Sequence, residues 1–193
     1  QFTVDLFVSD YMVPPDSFAL MPSARNTWMF DPELGPRIRA QLGIAPDELV
    51  VLYLPTWRGE GNSMTDVAAN VALFEQMSRV RARLDRPVRL YAKAHRFTKG
   101  RVDPEALGLV TPPSDLDLYE FLAAVDCLVT DYSSIMFDFL VCNRPIILDT
   151  HDHDQYAAER GFSLDPSSLG LTLAPDEDAM VAAIESAPAH VDQ

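Results

Sequence analysis

The sequence predicts an α/β protein in which a parallel sheet is flanked by helices. Short, continuous apolar runs at residues 50–54, 88–92, 127–130 and 145–149 alternate with segments that have helical periodicity. Continuous rather than alternating hydrophobicity is typical of parallel strands that are covered on both faces. Polar or cationic residues follow these runs, as they do at the ligand-binding edge of such sheets. Together these observations favour a Rossmann-like arrangement.

Length, charge and cysteine content narrow the class of protein. The 193 residues, 48% of them hydrophobic, suffice for one good core. No apolar run approaches the roughly 20 residues of a membrane-spanning helix. The formal net charge of −14 disfavours non-specific binding to nucleic acid or anionic lipid. Cys127 and Cys142 are expected to be core residues rather than a disulfide. Because the chain begins with Gln1 rather than Met, we expect it to be a fragment of a longer protein.

The N-terminal region is weakly patterned. Residues 4–8 are predicted to form a short strand, which a proline-containing loop follows. Asp31-Pro32-Glu33 has the cap and the first-turn proline of a helix start, and this helix is predicted to stop at Gly43.

From residue 49 onward, strands and helices alternate. Apolar residues at helical spacing between residues 67 and 84 predict a long helix between the first two strands. A third short strand is predicted at residues 107–110. Ser114-Asp115-Leu116-Asp117 has the spacing of a capping box, with Asp at its last position, and predicts a helix through residue 125. The last helix is predicted to begin at Asp176.

Residues 127–138 form the central element, a buried strand followed by a polar turn and a helix. The strand ends at Asp131, and Ser133 or Ser134 can cap the helix. Unpaired N–H groups and the helix macrodipole favour an anion at such a turn, so it suits phosphate. The alternative is that the serines only cap a core helix. Asp138, on an apolar helix predicted to be buried, either braces the turn or meets a ligand hydroxyl.

Four polar segments are expected to surround one crevice, because each follows a predicted strand of the same sheet. They are Thr56-Trp57-Arg58, Lys93-Ala94-His95, Asp131 to Ser134 and Asp149 to Asp154. Cationic side chains beside the serine turn predict a pyrophosphate site, although Arg58 alone could be a solvated strand-end arginine. No Gly-x-Gly-x-x-Gly or Gly-Lys-Ser/Thr loop supports dinucleotide or Walker-type binding. The alternating spacing of His151-Asp152-His153-Asp154 is poor chelate geometry, which disfavours a metal site.

Four motifs in one order carry a family resemblance. They are Leu54-Pro55-Thr56-Trp57-Arg58, Lys93-x-His95, Asp126 to Asp138 and Asp152…Tyr156…Glu159-Arg160-Gly161-Phe162. Together they closely resemble the CDP-glycerol glycerophosphotransferase family, which includes teichoic acid and capsule polymerases. The resemblance covers residues 49–162, and Asp-Tyr-Ser-Ser-x-x-Phe-Asp is its most specific part. The sequence departs from the family pattern at Arg96, where proline is frequent, and after Phe162, where a Pro-Gly-Pro segment is absent.

The resemblance implies that the chain is one half of a GT-B-type transferase. Residues 49–193 would form its Rossmann-like CDP-glycerol-binding domain, and residues 1–48 would join it to an acceptor half. The family moves glycerol phosphate, in some members ribitol phosphate, from the CDP-linked donor to a polymer hydroxyl and releases CMP. Carried over by position, His95 would be the catalytic residue at the pyrophosphate. The substrate-binding residues would be Thr56, Arg58, Lys93, Asp131, Ser133, Ser134 and Asp138.

The remaining expectations concern cofactors, partners and location. CDP-glycerol is expected as substrate rather than cofactor, and no motif supports a divalent ion. The acceptor polymer would bind through the other half, so the isolated chain is expected to bind the donor without catalysis. The protein is expected in the cytoplasm at the inner face of the membrane, which it would contact through other parts. A GT-B glycosyltransferase that uses a UDP- or GDP-sugar and a non-catalytic nucleotide-binding domain remain alternatives.

Overall fold

A parallel sheet of five strands forms the centre of the molecule. The computed structural model describes residues 2–18, 23–58, 64–93, 103–162 and 164–189. The strands are β1 (Leu49–Leu54), β2 (Val88–Ala92), β3 (Cys127–Thr130), β4 (Ile146–Asp149) and β5 (Thr172–Ala174), in the spatial order β2-β1-β3-β4-β5. The predicted fold class, a parallel sheet flanked by helices, is confirmed.

Helices cover both faces of this sheet. Among the described residues the α-helices are α1 (Phe2–Tyr11), α2 (Leu34–Gln41), α3 (Met64–Ala82), α4 (Leu118–Leu122), α5 (Ile135–Phe139), α6 (His153–Glu159) and α7 (Glu177–Ser186). Short 3-10 helices span Pro15–Ser17, Ala24–Phe30, Glu105–Leu107, Leu140–Cys142 and Pro166–Leu169. In this part of the chain, no helix has the length and the apolar character that crossing a membrane requires.

The continuous apolar strands follow from burial on both faces. In β1, Val51 and Tyr53 belong to the core that includes α3 and α7, whereas Val50 and Leu52 belong to the core that includes α2, α4 and α5. Successive side chains of a strand point to opposite faces, so both sets must be apolar. Cys127 and Cys142 are free thiols. Burial raises the pKa of Cys127 to about 12, so it is a core residue without a reactive thiolate.

The strand order places a topological switch point between β1 and β3. From β1 the chain crosses to β2 on one side, and it then returns to β3 on the other side of β1. Ligands of open α/β sheets bind outside the carboxyl ends of the strands at such a point. Thr56 follows β1 and Asp131 follows β3, so both of these predicted site residues lie at this switch point.

A buried ion pair anchors the opposite, amino end of the two central strands. Asp126, 1% exposed, accepts from Arg39 Nη1 at 2.8 Å and from the Val50 amide at 2.7 Å through its Oδ2. Arg39 also donates to the Glu48 carbonyl at 2.7 Å. These contacts fasten α2 and β1 to the start of β3. Since α2 shares the core of the sheet, residues before 49 contribute to it. The predicted boundary between residues 1–48 and 49–193 stays a prediction.

Three local predictions are wrong. Residues 4–8 belong to helix α1 rather than to a strand, because a short apolar run does not distinguish the two by periodicity. The strand predicted at 107–110 is a 3-10 turn followed by a single bridge between Tyr91 and Val110. The capping box does not form. Instead Asp117 caps α4 by accepting from the Tyr119 amide at 2.8 Å, so this helix begins later than predicted.

Candidate functional site

The buried carboxylate of Asp131 joins the carboxyl ends of β1 and β3. Its oxygens accept from the Thr56 amide at 2.8 and 2.9 Å and from Thr56 Oγ1 at 2.6 Å. The Tyr132 amide donates to the same carboxylate at 2.6 Å. Buried charge is tolerated when it is hydrogen-bonded in this way. Thr56 and Asp131 therefore meet, as the strand-end rule predicts, and hold the two strand ends in a fixed relation.

Arg58 lies between Asp131 and a second carboxylate, Asp152, which follows β4. Arg58 Nη1 is 2.8 Å from Asp131 Oδ2, and Arg58 Nε is 2.7 Å from Asp152 Oδ2. Burial works to lower the pKa of Arg58, but the two carboxylates outweigh it and raise that pKa above its ordinary value. Burial likewise works to raise the pKa of Asp152, yet the bonds with Arg58 keep it below its ordinary value. Both groups are thus held in their charged forms.

An aromatic cluster surrounds this ion pair. The Arg58 guanidinium carbon lies 5.4 Å from the ring centroid of Tyr132 and 5.1 Å from that of Tyr156. The two rings are 4.1 Å apart, and Phe162 lies 5.1 Å from Tyr132. The Tyr132 hydroxyl donates to Asp152 Oδ1 at 3.0 Å. The Asp152…Tyr156…Phe162 motif thus builds the wall of the cluster around Arg58, a role that its sequence spacing did not indicate.

The serine turn offers unpaired donors at the switch point. Within the described part of the chain, the amides of Ser133 and Ser134 have no protein acceptor. Ser134 occupies the N-cap position of α5 without a side-chain cap bond, whereas Ser133 Oγ accepts from the Ile135 amide at 3.5 Å. The turn is accessible, since Ser134 is exposed and Ser133 half-buried. Two N–H groups and the serine hydroxyls are therefore available to an anion.

Helix α5 differs from the prediction in length and burial. The α-helix ends at Phe139 and continues only as the 3-10 turn Leu140–Cys142. It is not buried all round, because Phe137 is 45% exposed and Leu140 49% exposed. Because so few peptide dipoles are aligned in it, the predicted anion site depends on the local amides and hydroxyls more than on a macrodipole.

Lys93 supplies an accessible cation at the end of β2. The residue is exposed, and its ammonium group contacts no acceptor among the residues that the structure describes. Its backbone amide donates to the Tyr53 carbonyl at 3.2 Å, which fixes its place beside β1. His95, the predicted catalytic residue, lies outside the described residues. The substrate-binding roles of Lys93, Ser133 and Ser134 stay predictions.

Asp138 is buried and paired, as a carboxylate on this helix must be. Arg25 Nη2 donates to Asp138 Oδ2 at 2.9 Å and to Oδ1 at 3.1 Å, and Tyr119 Oη donates to Oδ2 at 3.1 Å. These bonds connect the 3-10 segment Ala24–Phe30, α4 and α5. The geometry favours bracing over contact with a ligand hydroxyl, although binding by Asp138 stays a prediction. Arg25 was not among the predicted site residues, because this pairing spans 113 positions.

Replacing Asp138 with alanine is expected to lower the free energy of unfolding by about 1–2 kcal/mol, because Tyr119 and Arg25 lose their shared acceptor. Arg25 is 55% exposed along its side chain, so solvent replaces part of its lost bond. Thermal and urea denaturation of the chain measure the change. Asp154→Ala is the matched control, because the Asp154 carboxylate is fully exposed. Unchanged stability together with weaker CDP-glycerol binding would instead place Asp138 on the ligand.

The run His151 to Asp154 divides into separate contacts. His151 Nδ1 lies 2.7 Å from Asp149 Oδ1, and this bond raises the pKa of His151. His153 stacks on Phe162 with 5.1 Å between ring centroids. Over the described ranges, no group of three or more His, Cys, Asp or Glu residues could hold a metal ion. The run also opens α6, a helix that the sequence did not predict.

Cavities lie at both ends of the sheet. A cavity of about 320 Å³ touches the serine turn and is lined by Tyr132, Ser134, Phe137, Tyr156 and Phe162, among others. A larger one of about 440 Å³ is lined by Asp126 and Arg144 at the amino end of the sheet. Only the first adjoins the unpaired donors, so size alone does not identify the site. The lining of this first cavity is mainly apolar and aromatic, and the serine turn at its edge supplies the groups that could bind a phosphorylated ligand.

Comparison with known families identifies the chain. The family model described as CDP-Glycerol:Poly(glycerophosphate) glycerophosphotransferase matches residues 25–192. The chain belongs to this family. The glycerophosphotransferase match begins at Arg25, the partner of Asp138, so it extends beyond the predicted range of 49–162.

The curated relatives are longer than this chain. The teichoic acid glycerol-phosphate transferase of Staphylococcus aureus is 36% identical over 135 residues, 66% of this chain and 33% of the relative. The teichoic acid poly(glycerol phosphate) polymerase of Staphylococcus epidermidis is 26% identical over 172 residues, 84% of this chain and 23% of the relative. The chain therefore spans about a quarter to a third of these relatives.

Solved structures of the wall teichoic acid polymerase TagF share the fold. A variant of the wall teichoic acid polymerase TagF soaked with CDPG has a TM-score of 0.77 and 22% identity, over 97% of this chain and 47% of that chain. Another TagF structure has a TM-score of 0.71 and 20% identity, with the same coverage. The chain thus corresponds to about half of the solved polymerase chain.

Proposed function

We propose that this chain is the nucleotide-binding half of a GT-B-type glycerophosphotransferase. The whole protein would move glycerol phosphate, or another polyol phosphate, from a CDP-linked donor to a hydroxyl of a cell-wall or capsule polymer and release CMP. Family membership and the TagF-like fold support this proposal. The observation that carries it is the accessible turn at the switch point, where the amides of Ser133 and Ser134 lack acceptors among the described residues.

The chemistry of the reaction matches the groups present. Transfer of a phosphoryl group to an alcohol needs mainly positioning and stabilisation of negative charge. Backbone N–H groups and the Ser133 and Ser134 hydroxyls can bind non-bridging oxygens, while the exposed Lys93 ammonium adds a positive charge. These cationic and N–H donors stand out in a chain of net charge −14. The amides are preorganised by the backbone, so they cost little reorganisation when the charge builds up.

We infer that the active site is shared between this chain and the remainder of the protein. The acceptor polymer and the group that deprotonates its hydroxyl would lie in the remainder of the protein, and the active site would form between the halves. We propose that the imidazole of His95, two residues after Lys93, protonates the departing CMP. The protein would work on the cytoplasmic side of the membrane through contacts made elsewhere in it. Alone, the chain would bind donor and form no polymer.

Calorimetry with four nucleotides tests the function of the isolated chain. CDP-glycerol is expected to bind about tenfold or more tightly than CMP, because its second phosphate adds charged hydrogen bonds. CDP-ribitol should bind comparably if the polyol is recognised by the other half, and UDP-glucose should bind more weakly. The relative with 36% identity is named for glycerol phosphate, which favours CDP-glycerol as donor. Preferential binding of UDP-glucose would support a glycosyltransferase, and no binding of any nucleotide would refute the proposal.

A further inference from the structure

We propose that Arg58 and Asp152 are positioning residues that hold the serine turn in its binding conformation and do not touch the donor phosphates. This inference rests on the proposed function, because it assigns roles within the same site. It gives Arg58 a different role from the phosphate contact that the sequence predicts, and it adds Asp152, which was not among the predicted site residues. Four observations support it.

The first observation is that protein acceptors already occupy most of the Arg58 donors. Nη1 donates to the Thr56 carbonyl at 2.8 Å and lies 2.8 Å from Asp131 Oδ2. Nε and Nη2 donate to the Asp152 carboxylate at 2.7 and 3.3 Å. A guanidinium has five N–H groups, so about one is left. To bind a phosphate with two donors, Arg58 would have to abandon a buried carboxylate.

The second observation is that Arg58 is enclosed and anchored. Its side chain is 12% exposed, and its guanidinium lies over the rings of Tyr132 and Tyr156. Its backbone is fixed as well, because the Arg58 amide donates to Asn70 Oδ1 at 3.0 Å and Asn70 Nδ2 donates to the Arg58 carbonyl at 2.7 Å. A side chain held at so many points is suited to fix its neighbours rather than to reach out for a ligand.

The third observation is that the network holds Tyr132, the residue that leads into the serine turn. Arg58 follows β1, Asp131 follows β3 and Asp152 follows β4, so one guanidinium bridges three strand ends. Tyr132, the residue immediately before Ser133, is held by its amide to Asp131 and by its hydroxyl to Asp152. The direction in which the Ser133 and Ser134 amides point is therefore set by this network.

The fourth observation is the charge balance of the network. Two carboxylates surround one guanidinium, so the cluster carries a net negative charge that repels a diphosphate. If Arg58 contacted the phosphate directly, Asp152 would compete with the phosphate for the Arg58 guanidinium. Neutralising Asp152 would then free Arg58 and strengthen donor binding. A positioning role predicts the opposite sign, because the affinity lost when the turn loosens is expected to exceed the affinity gained by removing one repelling charge.

The experiment compares Asp152→Asn, Arg58→Gln and the double variant by calorimetry with CDP-glycerol. Each single variant is expected to lose about tenfold in affinity, and the double variant should lose little more, because both act through one network. Asp154→Asn is the charge-matched control, since its exposed carboxylate is close in sequence, and its affinity should stay unchanged. Tyr132→Phe removes only the hydroxyl bond to Asp152 and should lose less affinity than the other single variants. Because this change is small, a loss of affinity in it cannot be attributed to a general folding defect.

A ligand-free measurement separates this inference from the proposed function. Order parameters from ¹⁵N relaxation of the Ser133 and Ser134 amides should fall in Asp152→Asn and stay unchanged in Asp154→Asn. If the parent chain binds no nucleotide, the proposed function fails, and this readout still decides whether the network orders the turn. Unchanged or tighter CDP-glycerol binding by Asp152→Asn would overturn the inference. Weaker binding with unchanged order parameters would also overturn it, by placing Asp152 on the donor itself.

Discussion

Replacing His95 with alanine in the full-length protein is expected to lower kcat about a hundredfold or more, if its imidazole protonates the departing CMP. The expectation rests on its sequence position just after Lys93, which follows β2 at the edge where Ser133 and Ser134 lie. A donor to the leaving group acts mainly in the transition state, so its loss appears in kcat. A residue that only holds the ground state would instead change KM.

CMP release at saturating CDP-glycerol measures the effect of the His95 change. His190→Ala is the control, because His190 lies outside all the motifs that carry the family resemblance. A kcat within about threefold of the parent would remove His95 from the mechanism. In the same assay residues 1–193 alone should form no polymer, and polymer formation would show that an acceptor site lies within this chain.

Replacing Ser133 and Ser134 together with alanine is expected to weaken CDP-glycerol binding by about 1–3 kcal/mol, if each hydroxyl bonds a charged phosphate oxygen. The backbone amides remain in the variant, so binding should be weakened rather than abolished. The Ser133 hydroxyl also accepts from the Ile135 amide at 3.5 Å, so a small loss of stability accompanies the change.

Calorimetry on the folded double-serine variant checks this placement. Ser186→Ala serves as the control, because the Ser186 hydroxyl donates only to the Ala183 carbonyl at the end of α7. CMP affinity should fall less than CDP-glycerol affinity, since CMP has one phosphate fewer to bond. Equal CDP-glycerol affinity in the parent and in the folded double variant would exclude the hydroxyls from the diphosphate site.

The central strands and their edge could be predicted because their causes are local. Residues 50–54 and 127–130 are buried on both faces, so their apolar runs are unbroken. The carboxyl ends of parallel strands share one edge, which is why Thr56 and Asp131 could be placed together before any contact was known. The edge strand Thr172–Ala174 escaped prediction, because it has only three residues and two of them are exposed.

The side-chain pairings could not be predicted, because they depend on three-dimensional geometry. Arg58 and Asp152 are 94 positions apart, and Arg58 alone fits phosphate binding as well as an ion pair. The same applies to Arg25 and Asp138, which are 113 positions apart and meet because the 3-10 segment Ala24–Phe30 packs against α4 and the turn Leu140–Cys142. The sequence therefore predicted which strand ends come together, while the structure shows which of the charged side chains there are paired with each other.

A crystal structure of this chain with CDP-glycerol tests the central claim most directly. The diphosphate is expected at the switch point between β1 and β3, with its oxygens about 2.7–3.2 Å from the amides of Ser133 and Ser134. The Lys93 ammonium should approach the same oxygens, and the pair of Arg58 with Asp152 should stay intact. A diphosphate bound in the cavity at the amino end of the sheet, beside Asp126 and Arg144, would contradict the account.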